Sequence, residues 1–332
     1  MGKGKGIVLY SGGLDSLLAA KILIEQGIEV IGFHCILPFV APDFDPQELK
    51  SSIIAKQNGI ELSFYRCDRD YLEMVKNPPH GYGKNLNPCI DCKIFFIKKA
   101  IELMKETGAD FIATGEVVGQ RPMSQMKDTL NHIVNETELK GRLLRPLSAK
   151  LLKPTVVEEN GIVIREKLFD INGRSRKMQM ELAEKYNIEE FSSPAGGCFF
   201  TDAFISKRVK DLLDNHEDYT PADLYFITIG RNFRISPRTK IIVSRNEEES
   251  NNLKKYMDMA NYFFEPNFSG PNVFVKGELV ENDKNLISSI ISRYGKVKSD
   301  EGEIFLFKKG ILLEEIKSTH PIDDEELKKM SI

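Results

Sequence analysis

The sequence predicts an α/β fold, a doubly wound parallel sheet, followed by a second, smaller α+β domain. Two observations carry this. Up to residue 115, short apolar runs alternate with helical stretches at the spacing of βαβ units, which imposes parallel pairing. Beyond about residue 203 the rhythm changes to short strands with few helices between them. A length of 332 residues with 41% hydrophobic content supplies two ordinary cores, and the expected domains are 1–203 and 204–332.

The elements follow in order. Residues 7–10 are an apolar strand, 11–13 a glycine turn, and Leu14, Leu17, Leu18 and Ile22 form the stripe of a helix that Gly27 ends. A second strand, 29–35, runs into a proline-rich loop. A helix over 46–58, a strand over 61–66, a long loop, a helix over 91–106 and a strand over 110–115 continue the alternation. A helix over 178–186 leads to a glycine-rich segment around Cys198, which closes the first domain. The break covers 203–221 and contains an amphipathic helix with Val209, Leu212 and Leu213. Strands are then expected at 225–229, 239–244, 262–265, 272–276 and 303–308, with helices near 247–260 and 284–294. In such a doubly wound sheet, ligands bind beyond the C-terminal strand ends, where Ser11, His34, Cys67 and Gly115 fall.

Ser11-Gly12-Gly13-Leu14-Asp15-Ser16 joins the first strand to the first helix. Two glycines ahead of a helix N-terminus leave amides open to an anion such as phosphate. The spacing fits neither the Gly-x-x-x-x-Gly-Lys loop nor Gly-x-Gly-x-x-Gly. A strand-turn-helix corner capped by Asp or Ser is the plain alternative. No apolar run of about eighteen residues and no signal peptide is visible, so a soluble, cytoplasmic protein is expected, with no membrane partner. In a reducing compartment, five cysteines point to metal, catalysis or burial rather than disulfides. A net charge of −3 confines any nucleic-acid surface to a local patch.

Cys89 and Cys92 stand at the start of a helix, one turn apart. A redox dithiol, half a zinc site and part of an iron–sulfur site all use that spacing. Cys198 lies beside two glycines, and three thiolates with an open fourth position suit a 4Fe-4S cluster whose free iron can hold sulfide. A structural or redox Cys pair, with Cys198 buried, is the alternative. Gln120, Ser124 and Gln125 offer neutral groups for a base edge or ribose, with Arg121 beside them. Arg142, Arg145, Lys150 and Lys153, then Arg174, Arg176 and Lys177, suit phosphate contacts. Between residues 228 and 246, Arg231, Arg234, Arg238, Lys240 and Arg245 surround Phe233 with no acidic residue, a pattern suited to RNA backbone and a stacked base.

These motifs resemble those of one family. The Ser11–Ser16 loop is similar to the pyrophosphatase loop of the N-type ATP pyrophosphatases, which have a HUP-like fold. Gly119-Gln-Arg-Pro-Met-Ser-Gln125 and Leu144-Arg-Pro-Leu147 resemble elements of ThiI, and Asn87-Pro-Cys-x-x-Cys92 resembles one of MnmA. With Cys198, the cysteines are similar to the set of the iron–sulfur members such as TtuA. About the first 200 residues thus resemble the PP-loop tRNA thiouridine synthetases, and the C-terminal part resembles the RNA-binding domain of the NFACT family. ThiI carries a THUMP domain ahead of its ATP loop, whereas this sequence starts at the loop, so tRNA docking is expected of the C-terminal part.

The resemblance implies a tRNA sulfurtransferase. ATP would adenylate a uracil carbonyl, and sulfide on a cluster, or a persulfide on Cys89 or Cys198, would replace AMP to give 4-thiouridine or 2-thiouridine. Ser11, Gly12, Gly13, Leu14 and Ser16 would hold pyrophosphate, with Asp15 organising Mg2+, and His34 and Gly115 would face the nucleotide. Cys89, Cys92 and Cys198 would ligate the cluster, and Asp15, Cys89 and Cys198 would be catalytic. Gln120, Arg121, Ser124, Gln125, Arg145, Arg231, Arg234, Arg238 and Lys240 would contact RNA. The implied cofactors are ATP, Mg2+ and a 4Fe-4S cluster; the partners are tRNA and a sulfide or persulfide donor, with homodimerisation left open. Two other readings stay: adenylation of a small-molecule carbonyl for amidation, and a non-catalytic RNA-binding protein with structural zinc.

Overall fold

The computed structural model describes residues 4–139, 141–192, 198–298 and 301–332. The chain divides into two compact units, residues 1–201 and 202–332. Asp202 marks the join by capping the helix that opens the second unit, its side chain accepting from the amides of Phe204 and Ile205.

In the first unit the order is β1 (Lys5–Leu9), α1 (Leu14–Glu25), β2 (Glu29–Ile36), α2 (Lys50–Gln57), β3 (Glu61–Arg66), α3 (Arg69–Lys76), α4 (Cys89–Thr107), β4 (Phe111–Thr114), α5 (Lys127–Glu136), β5 (Leu143–Leu144), α6 (Val156–Glu159) and α7 (Lys177–Lys185). The sheet runs β3-β2-β1-β4-β5 and every pairing is parallel, as the alternating pattern predicts. The strand period of two sends Val8 to the core shared with α1 and Ile7 to the opposite core shared with α4 and α5. From β1 the chain winds outward to β2 and β3, then returns to place β4 on β1's other side. This reversal is the topological switch point, and the crevice beyond the C-terminal ends of β1 and β4 is where such a sheet holds a ligand.

The expected long loop after β3 is interrupted by α3, which begins where the Asp68 side chain accepts from the Arg69 amide. The expected helix over 46–58 starts as a short 3-10 turn, Pro46–Glu48, before α2.

The second unit continues with α8 (Ala203–Asn215), α9 (Pro221–Phe226), β6 (Arg231–Ser236), β7 (Thr239–Val243), α10 (Glu247–Lys255), β8 (Tyr262–Pro266), β9 (Val273–Gly277), α11 (Glu281–Tyr294), β10 (Glu303–Lys308), β11 (Ile311–Lys317) and α12 (Asp324–Met330). Its six strands form one antiparallel sheet in the order β11-β10-β8-β9-β7-β6. Ile287, Ile290 and Ile291 of α11 share a core with Ile241, Phe264, Val275 and Ile304 of the strands. The strand expected at 225–229 is instead the end of α9 and the turn after it. Thr220 and Asp223 make a capping box and Pro221 opens the helix, a start signal that overrides the β-forming Tyr225 and Phe226. Among the described residues no helix is long and apolar enough to cross a membrane.

Candidate active site

The loop after β1 sits at the switch point. Gly12 has φ +76°, a left-handed conformation that favours glycine, and a Cβ there would collide with Ser51. Gly13 is the N-cap of α1 and no side chain caps the helix, so its first amides are open to an anion. Ser16 shapes the loop, its hydroxyl donating to the Gly13 carbonyl at 2.9 Å and accepting from the Ser11 amide at 3.2 Å. Leu14 is buried in the core, so only its backbone faces the loop. Gly115, just beyond β4, lies so close that a Cβ would collide with the backbone of Asp15 and Ser16. The two strand ends are thus locked together.

Asp15 is held on one side only. Its Oδ2 accepts from Gln120 Nε2 at 2.9 Å, while Oδ1 is buried without a hydrogen bond, 3.9 Å from the Arg176 guanidinium. Gln120 Oε1 and Arg176 Nε are likewise buried and unbonded. An orphaned carboxylate oxygen beside an orphaned amide oxygen and a guanidinium fits a bound phosphate with its divalent cation. Arg176 joins this group from the start of α7, and the basic run over 174–177 was its only sequence signal. His34 Nδ1 bonds the Tyr10 carbonyl at 2.8 Å, so that nitrogen carries the proton. Burial lowers its pKa despite that bond, keeping the ring neutral with Nε2 free to accept.

Cys89 and Cys92 open α4. Cys198 is brought to them by the segment that follows it: Leu86 N donates to Phe200 O at 3.1 Å, and Asn85 Nδ2 donates to Thr201 O at 2.8 Å. The same segment is tied upstream to the ATP loop, since Ser192 N donates to Gly12 O at 3.0 Å. The glycine setting expected at 193–197 lies outside the described residues. Neighbouring thiols act on both Cys92 and Cys198. Burial, with Cys198 and Cys89 nearby, pushes Cys92 up to about 12, although the Tyr71 hydroxyl 3.2 Å from its sulfur pulls the other way. Cys198 is raised by burial and Cys89, and lowered by Phe200 N–H and Arg121. Among the described residues, no three His, Cys, Asp or Glu converge on a single ion. A cluster asks for a different arrangement, since each thiolate binds its own iron and the sulfurs stand farther apart. Three neighbouring soft donors fit that group. Cys35 and Cys67 are also raised by burial and lie at the ends of β2 and β3.

The loop carrying Cys89 is anchored by Asp91. Buried between the two cysteines, it accepts from the backbone and Nδ1 of His80, at 3.1 and 2.7 Å, and His80 Nε2 meets His132 Nε2 at 2.7 Å. A carboxylate inside Cys-x-Asp-Cys was the available signal for this anchor.

An ion triad around the buried Glu116 joins the cysteine helix to the glycine loop. Lys93, next to Cys92, bonds Glu116 at 2.5 Å and the Ser124 carbonyl at 3.0 Å, and Arg145 bonds the other Glu116 oxygen at 2.9 Å. Glu116 directly follows Gly115. Several expected RNA contacts are therefore corrected. Arg145 is 3% exposed and neutralises Glu116, so it cannot reach phosphate. Ser124 is buried and serves Lys93 through its carbonyl, whereas Gln125 is buried with Oε1 unbonded and Arg121 is exposed. In the second unit Lys240 is 1% exposed, its pKa lowered by burial to about 8 despite Asp211, and Arg234 pairs with the same Asp211 at 2.7 Å. Lys240 is thus a buried residue, and Arg234 is committed to Asp211. Phe233 is a core residue, while Arg238 is exposed and paired with Glu278.

Burial alone would raise the Glu116 pKa, but Lys93 and Arg145 outweigh it and lower it to about 2. Its folded pKa thus lies below the unfolded value near 4.3. The carboxylate contributes stability above about pH 4, which is lost as pH falls towards 2. Glu116→Gln strands two cations and is expected to cost about 3–5 kcal/mol. Thermal unfolding of the wild type should fall off between about pH 4 and 2, and the variant should start lower and lack that step.

Residues 1–158 match the family model described as Thiamine biosynthesis protein (ThiI). That match covers most of the first unit. Residues 230–330, beyond the first unit, match the model of the NFACT protein RNA binding domain. Among curated relatives, the tRNA-specific 2-thiouridylase MnmA of Leptospira interrogans is 36% identical over 132 residues, 35% of this chain and 34% of that protein. The probable tRNA sulfurtransferase of Methanosarcina mazei is 30% identical over 126 residues, covering 36% and 29%. The chain thus spans about a third of the length of these relatives. A solved 4-thiouridine synthetase–RNA complex with bound ATP overlaps 56% of the chain and 52% of its own, at 20% identity and TM-score 0.34. The U34-tRNA thiolase NcsA of Methanococcus maripaludis, with its 4Fe-4S cluster, overlaps 68% and 69% at 18% identity and TM-score 0.32.

Proposed function

We propose that the protein thiolates a uridine of tRNA, using ATP to activate a uracil carbonyl and a cysteine-held sulfur source to replace its oxygen. In this reading residues 1–203 carry the chemistry and 204–332 dock the tRNA. The observation that carries the proposal is the Lys93–Glu116 bond. Lys93 follows Cys92 on α4, and Glu116 follows Gly115, which packs on the backbone of Asp15, so the cysteine helix and the glycine loop are joined.

A uracil oxygen is a poor leaving group, and adenylation makes it a good one. The uracil oxygen bonds the α-phosphorus of ATP as pyrophosphate leaves. The open amides at the start of α1 receive the pyrophosphate, with the Ser11 and Ser16 hydroxyls beside them. Asp15, through its unbonded Oδ1, would hold the divalent cation that the developing charge requires, and Arg176 would add a second counter-charge. His34, its Nδ1 tied to the Tyr10 carbonyl, would offer Nε2 to the adenosine. Cys89, Cys92 and Cys198 would hold a 4Fe-4S cluster, which when bound supplies a place for inorganic sulfide. Sulfur then bonds the activated carbon and AMP departs with the former uracil oxygen.

Purification without oxygen, iron and sulfide analysis, and mass spectrometry of nucleosides from tRNA incubated with ATP, Mg2+ and sulfide test the proposal. The expected product is 4-thiouridine, following the ThiI-like loop over 119–125; 2-thiouridine would correct the position only. No thiolated nucleoside from cluster-loaded protein on a range of tRNAs would sink it, and AMP formed without tRNA would favour amidation of a small molecule.

A further inference from the structure

The second unit contains a cleft of about 410 Å³ bounded by the ends of β7 and α11, the start of α10 and the turn over 268–271. The Arg231 guanidinium sits over the Tyr294 ring, its carbon 4.2 Å from the ring centre, and Nη1 bonds the Ser244 carbonyl at 3.4 Å. Phe268 is wedged against Gly295 and Gly302, where any Cβ would strike its ring, so this wall is rigid. Asn246, whose Oδ1 caps α10 and leaves its amide nitrogen to donate, and Ser250, whose hydroxyl meets that of Ser244, are neutral polar residues of the lining. Lys296 has no ion-pair partner among the described residues, whereas Arg245 is occupied by Glu249. One carboxylate, Glu247, therefore faces two available cations.

The cleft is too small for a duplex and of a size to take one nucleotide. A guanidinium backed by an aromatic ring offers a flat cationic surface to a base, and the neutral groups can read its edge. A larger cavity of about 830 Å³ in the same unit suits RNA less well. Its Arg238 is already paired with Glu278, and Glu217 and Asp218 also line it.

We propose that this cleft receives one unpaired RNA base, stacked on Arg231, with Lys296 meeting an adjoining phosphate. The inference rests on the reading of the second unit as RNA-binding. The stacking surface comes from Arg231, one of the basic residues between 228 and 246, and from Tyr294, far away in sequence on α11.

The test is fluorescence anisotropy of the full chain with a labelled mixed-sequence single-stranded RNA of about a dozen nucleotides and its fully paired duplex, against salt. Arg231→Lys keeps the charge and removes the flat stack, so it should weaken single-strand binding about tenfold and leave duplex binding unchanged. Lys296→Ala should reduce the salt slope for the single strand by about one. Tyr294→Leu should reproduce the Arg231→Lys effect, and urea midpoints for each variant separate lost binding from lost folding. Wild-type affinity in folded Arg231→Lys, or equal loss on both RNAs, would overturn the cleft while leaving the RNA-binding reading intact. If the wild type binds neither RNA, that reading fails with it.

Discussion

Asp15→Ala is expected to reduce tRNA-dependent release of pyrophosphate from ATP by about 10²–10³-fold, the cost of removing one group aimed at developing charge. The reason is local. Asp15 Oδ1 is buried with no hydrogen bond, and the residue is fixed by Gln120 and by the packing of Gly115 on its backbone. A carboxylate so held has its unbonded oxygen oriented before any ligand arrives. Asp15→Asn keeps the shape and can still accept from Gln120, so it isolates the charge. Both variants should unfold within about 1 kcal/mol of the wild type, because the fold loses at most the Gln120 bond and a 3.9 Å ion pair with Arg176. Unchanged pyrophosphate release in Asp15→Asn would remove Asp15 from the chemistry.

Cys198→Ser should separate the two half-reactions. Serine preserves the size of the side chain and the backbone tie between Phe200 and Leu86, but it is a hard oxygen donor where soft sulfur is needed. Thiolated nucleoside should fall by about 10³-fold or more, as for loss of a group on which a step depends, while pyrophosphate release stays within a few-fold. Cys89→Ser should behave alike. Equal loss of both activities would mean that Cys198 supports the ATP loop through Ser192 and Gly12 rather than the sulfur step.

Legibility followed the range of the interactions. The β1 strand, its glycine turn and α1 were readable because an apolar run, Gly12 and Gly13, and the stripe from Leu14 to Ile22 are all local signals. The parallel order followed from the alternation. The Lys93–Glu116–Arg145 triad was not readable, since its members lie on different elements and each looks like an ordinary surface charge in sequence. Arg145 was assigned to phosphate for that reason, and Lys240 fell to the same error through Asp211 on α8. Phe233 misled in the opposite sense: its basic neighbours implied an exposed ring, but strand alternation turns it into the core. The tie from Ser192 to Gly12, which links the cysteine segment to the ATP loop, is a backbone bond and left no mark in side-chain identity.

The central claim is that the ATP loop and the three cysteines act on one uracil carbonyl. It is tested most directly with tRNA whose uridine carbonyl oxygens carry oxygen-18, incubated with cluster-loaded protein, ATP, Mg2+ and sulfide. AMP and thiolated nucleoside are then quantified by mass spectrometry. The account predicts one labelled AMP for each thiouridine formed, because the uracil oxygen leaves on phosphorus. Unlabelled AMP would mean that ATP is cleaved by water or another acceptor, and would contradict it.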